Sequence, residues 1–120
     1  MLPELFRRAR TEVVQSWLGS DDLPDSDSVV EELGNGIAAA ESCVTALYLA
    51  LRFLDASFEE LHDFVVECGG DVDTIGAMAG ALWGAHNGDA GLPTAALDKL
   101  EQRARIESAA AGLAGLHPAP

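Results

Sequence analysis

The chain has 120 residues, 48% of them hydrophobic and 6% aromatic, and a formal net charge of -13. That hydrophobic share excludes intrinsic disorder and supports one domain with a packed core. The acidic excess excludes nucleic acid and anionic membrane as partners, because those are held by clustered Lys and Arg.

Residues 2–18, LPELFRRARTEVVQSWL, read as a helix. Pro3 suits a first turn, and Leu2, Leu5, Phe6, Ala9, Val13, Val14 and Trp17 form a stripe at helical spacing. GSDDLPDSDS is a loop by composition. Its alternating Asp25 and Asp27 do not make a calcium loop, because Val29 and Val30 break the pattern an EF-hand needs. VVEELGNGIAAAES, punctuated by Gly34 and Gly36, is expected to be a turn or broken helix. ESCVTALYLALRFLDA is apolar on most sides and is expected to be a mostly buried helix. SFEELHDFVVECGG starts at Ser57, with Glu60 three residues on, the pattern of a capping box. Gly69 and Gly70 end it. A helix over about residues 72–86 follows, then the loop NGDAGLP. TAALDKLEQRARIESAAAGLAGL closes the chain as one amphipathic helix before the tail HPAP. Every apolar run ends in helix signals, so the expected class is all-α.

Three features bear on location. The uncharged run over residues 75–85 is far short of the roughly 20 residues that span a bilayer, so it is expected to be a buried helix. No basic n-region and cleavage site precede an apolar run, so no signal peptide is expected. Cys43 and Cys68 are too few for a disulfide framework and are expected to be two buried thiols in a reducing compartment, the cytoplasm.

The segment Gly-Gly-Asp-Val-Asp-Thr over residues 69–74 carries the chemistry. An Asp at a helix start is usually a cap, and acids in a first turn suit the positive helix end. One acid is enough for that, yet Asp71, Asp73 and Thr74 stand together. On a regular helix the two carboxylates would lie about 200° apart. They converge only if Asp71 stays in the loop, where Gly69 and Gly70 permit unusual backbone angles. Carboxylate and hydroxyl oxygens suit a hard cation such as Mg²⁺ or Mn²⁺. Gly76, Gly80, Gly84 and Gly88 recur at four-residue intervals, and each interior Gly costs a helix up to about 1 kcal/mol. Close backbone approach is the expected reason. Asp73, Ala77, Gly80, Ala81 and Gly84 share one face, so the acid is expected to point the way the tightest packing does.

GGDVDTIGAMAGALWGAHNGDAGLP resembles the C-terminal signature of the ADP-ribosylglycohydrolase family, which includes the dinitrogenase-reductase-activating and ADP-ribosyl-acceptor hydrolases. ELGNGIAAAESCVTALYLALR is similar to the family's preceding helix, and LEQRARIESAAAGL to its closing helix. The resemblance runs from Glu32 to about Leu116. It divides the chain into an N-terminal helix and acidic loop (1–28), a family-like helical region (29–116) and a tail (117–120). It implies an all-α bundle around a cleft with paired divalent metals, Mg²⁺ or Mn²⁺, and cleavage of the glycosidic bond between ADP-ribose and a protein or small-molecule acceptor. It also implies that Asp71, Asp73 and Thr74 are metal ligands.

Members of the family are much longer, and their N-terminal part holds a second Thr/Asp/Asp motif and the acidic residue assigned to catalysis. The expectation is therefore a C-terminal part that needs an N-terminal half, with self-association where apolar surface is left open. Asp21 and Asp22 superficially resemble the other motif but sit in a turn-rich loop close to Asp71, so they are not assigned to the site. His86 lies about 20 Å along the helix from Asp73, too far to share a metal. His62 is expected to be half-exposed and His117 to lie in the tail. Glu41 is expected to be a partner or cap of the neighbouring helix. No residue is assigned as general acid or base. A second reading stands beside the hydrolase: a non-catalytic helical module for interaction or for binding ADP-ribose or metal.

Overall fold

The computed structural model describes residues 12–20 and 23–116. Among these there is no strand, and the expected all-α class holds. The helices are α1 (residues 12–18), α2 (Ser26–Leu33), α3 (Ala39–Arg52), α4 (Phe58–Cys68), α5 (Val72–Asn87), α6 (Thr94–Asp98) and α7 (Arg103–Gly115). The part of the expected first helix before residue 12 lies outside the described residues, as does the tail.

Helix α3 pairs with α5 at the centre of the bundle, α4 flanks α5, and α2 lies against α3 and α4. The reason is the distribution of large apolar side chains. Tyr48 and Leu49 on α3, Ile75 and Ala79 on α5, Val29 and Leu33 on α2, and Leu61 and Val65 on α4 are all buried. Burying side chains of this kind contributes about 1.5–3 kcal/mol each, which offsets the entropy of ordering the chain. Trp17 of α1 closes one side, edge-on to Tyr48 with ring centroids 5.2 Å apart. As its composition implies, α3 is buried over most of its length, with Cys43, Leu47 and Leu51 exposed on its outer side.

Helix boundaries follow local chemistry. Ser57 Oγ accepts from the Glu60 N–H at 3.2 Å, and a Glu60 carboxylate oxygen accepts from the Ser57 N–H at 3.1 Å. The expected capping box is thus present. The segment around Gly34 is a broken helix, as expected, with α2 ending at Leu33 and α3 starting at Ala39. One boundary differs. The loop expected over residues 19–28 gives way to α2 at Ser26, because Asp25 caps that helix by accepting from the Ser28 N–H at 2.8 Å. This bond also holds the Asp25 carboxyl below its ordinary pKa.

Arg52, at the end of α3, anchors the loop before α2. Its guanidinium donates to the Pro24 carbonyl at 2.6 Å and lies over the Phe64 ring at 4.3 Å from the centroid. Such cation–π contacts add roughly 0.5–2 kcal/mol when partly desolvated.

The closing segment is not one helix. It divides into α6 and α7, with Gln102 left-handed at φ 60° between them. No Gly or Pro in residues 94–102 announces that break. Arg103 spans it, donating to Asp98 at 3.1 Å and Glu107 at 2.9 Å. Nor does α7 bury a face: Ile106, Leu113 and Leu116 are exposed, so its apolar positions do not join the core.

Candidate metal site at the head of α5

The turn from α4 into α5 is built on the two glycines. Gly69 and Gly70 both adopt φ +67°, a region that side chains rarely tolerate. A Cβ on Gly70 would collide with the carbonyl oxygen and side chain of Asn35. Asn35 belongs to the loop between α2 and α3, and its carbonyl accepts the Asp71 N–H at 2.8 Å. Its side-chain amide donates to the Cys68 carbonyl at 2.8 Å. The 34–36 loop is held in turn by Thr45, whose hydroxyl donates to the Gly34 carbonyl at 2.7 Å. The Glu41 side chain lies against Gly34 and Gly36, where any Cβ would strike it. Glu41 therefore packs on the loop that precedes its own helix. Asn35 and Thr45 were not singled out by sequence reasoning. Their one signal is the Gly-Asn-Gly run, whose glycines read only as a chain break.

Asp71 occupies the position before the first turn of α5, outside the helix, with φ -82° and ψ 62°. This is the placement that convergence with Asp73 requires. Asp71 makes no side-chain capping hydrogen bond. Its carboxylate is therefore not doing the work that a structural cap does. Asp71 is half-buried, and Asp73 and Thr74 are exposed in the first helical turn. The set offers carboxylate and hydroxyl oxygens, the donor chemistry that fits Mg²⁺ or Mn²⁺. Among the described residues no group of three or more His, Cys, Asp or Glu could hold a metal ion.

The small-residue stripe of α5 does not face the core of the described helices and is left open. The buried face is Ile75, Ala79 and Trp83, while Ala77 and Ala81 are exposed. A Cβ at Gly84 would meet nothing within 4 Å, and one at Gly80 only Phe58 at 3.5 Å. Large branched and aromatic side chains remove more apolar area from water than glycines do, and they set the rotation of the helix. Asp73 thus points away from the packed face.

His62 and His86 stay apart from Asp71 and Asp73. His86 lies at the other end of α5, 3.8 Å from the Asp55 carboxylate. His62 is exposed and stacks on Phe58 with centroids 6.3 Å apart. His117, Asp21 and Asp22 lie outside the described residues. The expectation of two buried thiols is half met. Cys68 is buried, which with the nearby Glu67 pushes its thiol up to about 11. Cys43 is exposed on the outer side of α3, its S–H donating to the Met78 sulfur at 3.8 Å. No helix among the described residues is long and apolar enough to cross a membrane.

Comparison with known proteins gives this geometry a context. Mouse (Mus musculus) ADP-ribosylhydrolase ARH3 is 43% identical over 76 residues, which cover 56% of this chain and 20% of that protein. The Xenopus tropicalis ADP-ribosylhydrolase ARH3 is 40% identical over 89 residues, 67% of this chain and 25% of its own length. An uncharacterised protein of Archaeoglobus fulgidus is 32% identical over 122 residues, 98% of this chain and 39% of its own. The chain thus spans between a fifth and a quarter of the ADP-ribosylhydrolase relatives it matches. The family model described as ADP-ribosylglycohydrolase matches residues 2–119. With nearly its whole length matched, and the resemblance read from residues 69–93 borne out, the chain belongs to the ADP-ribosylglycohydrolase family.

Proposed function

We propose that this chain supplies one metal-binding face of an ADP-ribosyl hydrolase, an enzyme that cleaves the glycosidic bond between ADP-ribose and a protein or small-molecule acceptor. The observation that carries the reading is Asp71: it stands at a helix start, outside the helix, and does not cap it. With Asp73 and Thr74 it would hold Mg²⁺ or Mn²⁺. Such an ion supplies positive charge for the ligand and a Lewis acid that orients ribose hydroxyls and acidifies water. The chain's own residues fix where that charge stands. The head of α5 is set by the double glycine, with Asp71 half-buried at the turn and Asp73 exposed on the first helical turn, off the packed face.

Charge supports the same reading. ADP-ribose is a diphosphate, and a chain of net charge -13 meets it only where a cation reverses the local sign. Further metal ligands and the general acid and base are assigned to a segment outside these residues, in the same polypeptide or in another. The cytoplasm is the proposed location, where a free thiol such as exposed Cys43 stays reduced. The test is Mn²⁺- or Mg²⁺-dependent release of ADP-ribose from a modified protein, with Asp73→Ala as control. Metal-independent release, or release unaffected by Asp73→Ala, would refute the assignment.

A second reading is favoured by one observation: no third carboxylate, His or Cys joins Asp71 and Asp73 among the described residues. On that reading the chain binds metal and ADP-ribose without turnover. Calorimetry with Mn²⁺ and ADP-ribose, run beside the hydrolysis assay, separates binding from catalysis.

A further inference from the structure

We propose that Asn35 is a positioning residue for the metal site, acting through the double-glycine turn; the inference rests on the metal-binding reading of Asp71. Asn35 holds the turn at both ends. Its side-chain amide grips the Cys68 carbonyl on the α4 side, and its backbone carbonyl grips the Asp71 N–H on the α5 side, each at 2.8 Å. Between these two points stand Gly69 and Gly70, the residues with the greatest backbone freedom and both at positive φ. Without a brace, this stretch is where the Asp71 backbone would wander relative to Asp73. Asp73 is fixed separately, by the helix.

The brace is itself built to be rigid. Thr45 is fully buried and fixes Gly34 from α3, and the Glu41 side chain occupies the space over Gly34 and Gly36. Gly70 is required for the same contact, because a Cβ there would land on the Asn35 carbonyl. A loop between α2 and α3, remote in sequence from the acids, thus sets the position of one candidate ligand against the other two. Partners of this kind matter because a ligand set held loosely loses affinity: removing an outer partner typically weakens a metal site by about 10–100-fold.

The experiment compares the full chain with Asn35→Ala and with Gly70→Ala. The second variant leaves Asn35, Asp71, Asp73 and Thr74 unchanged. Two readouts are taken on each protein: Mn²⁺ affinity by electron paramagnetic resonance, and hydrogen exchange of the Asp71 amide relative to the core amide of Ala79. The expected result is Mn²⁺ binding weakened about 10–100-fold in both variants, with Asp71 exchange accelerated at least about tenfold and Ala79 exchange little changed. A general structural role would instead lower the melting temperature and accelerate both amides while folded protein kept its Mn²⁺ affinity. That outcome overturns the proposal, as does an unchanged Asp71 amide. Absence of Mn²⁺ binding by the unmutated chain strikes the metal reading. The positioning claim falls with it, and faster Asp71 exchange in both variants then shows only that Asn35 holds the turn.

Discussion

Thr74 and Ile75 are neighbours in sequence and opposites in the fold, which makes them a test of how α5 is oriented. Ile75 is fully buried between the helices, and Thr74 is exposed beside Asp73. Ile75→Ala removes three buried carbon atoms, about 0.8 kcal/mol each in transfer free energy, and leaves a cavity that adds to the loss. The expected destabilisation is about 3–4 kcal/mol, a large fraction of the stability of a domain this size. At about 4 °C per kcal/mol, the midpoint falls by roughly 12–16 °C. Ile75→Val is expected to cost only about 0.5–1.5 kcal/mol. Thr74→Ala changes an exposed helical position and should stay within about 0.5 kcal/mol of the parent. It should nevertheless weaken Mn²⁺ binding by about tenfold or more. Thermal and urea unfolding followed by circular dichroism measure the first effect, and Mn²⁺ titration the second. Destabilisation below about 1 kcal/mol for Ile75→Ala, or equal destabilisation by both alanine variants, would show that the acid-bearing face is the packed one and refute the rotation assigned to α5.

Two further outcomes are expected. Ser57→Ala removes one half of the capping box and should destabilise the protein by about 1 kcal/mol in urea unfolding, while Glu60→Gln, which keeps an acceptor, should cost less. The buried Cys68 thiol, with its pKa raised to about 11 from 9.0 by burial first and Glu67 second, favours the protonated form in the fold. Its contribution is intact below about pH 9 and lost as pH rises toward 11, up to about 2–3 kcal/mol. A pH series of urea midpoints for the parent and Cys68→Ala measures it, and a thiol reagent at neutral pH should label exposed Cys43 well before Cys68.

The helices were legible where their signals are local. Ser57 and Glu60, Gly69 and Gly70, and the apolar run of α3 each announce themselves within a few residues. The turn that carries the proposed site was legible for the same reason, since the double glycine marks it and two acids and a hydroxyl follow at once. What stayed hidden depends on partners far away in sequence. The Gly-Asn-Gly loop looks like punctuation until Asn35 is seen to meet Cys68 and Asp71, more than thirty residues on. The rotation of α5 against its neighbours follows from its large side chains, since glycines bury little area and their stripe signals only close approach. Ile75 and Trp83 settle the rotation, and both were present in the sequence. The break at Gln102 had no local signal: a left-handed residue without Gly or Asn becomes intelligible only once Arg103 is seen to bridge Asp98 and Glu107.

The same geometry bears on how an acidic protein would meet a diphosphate. A helix N-terminus is a ready anion site when its first N–H groups point at the ligand. At the head of α5 the groups nearest the turn are already used: the Asp71 N–H by Asn35 and the Val72 N–H by the Gly70 carbonyl at 2.9 Å. The carboxylates of Asp71 and Asp73 then add negative charge at the place where a phosphate would seek the opposite. In the proposed site, direct capture of the anion by the helix is therefore the weaker route. The same two carboxylates become useful once they hold a cation, because the ion's charge exceeds the partial charge of the helix end several-fold. The positive helix end then favours the ionised carboxylates, and the carboxylates favour the ion. On this reading the double glycine, the Asn35 brace and the acids form one device. It takes up two of the backbone donors beside the turn, sets carboxylates where an anion would approach, and leaves the task to a bound metal.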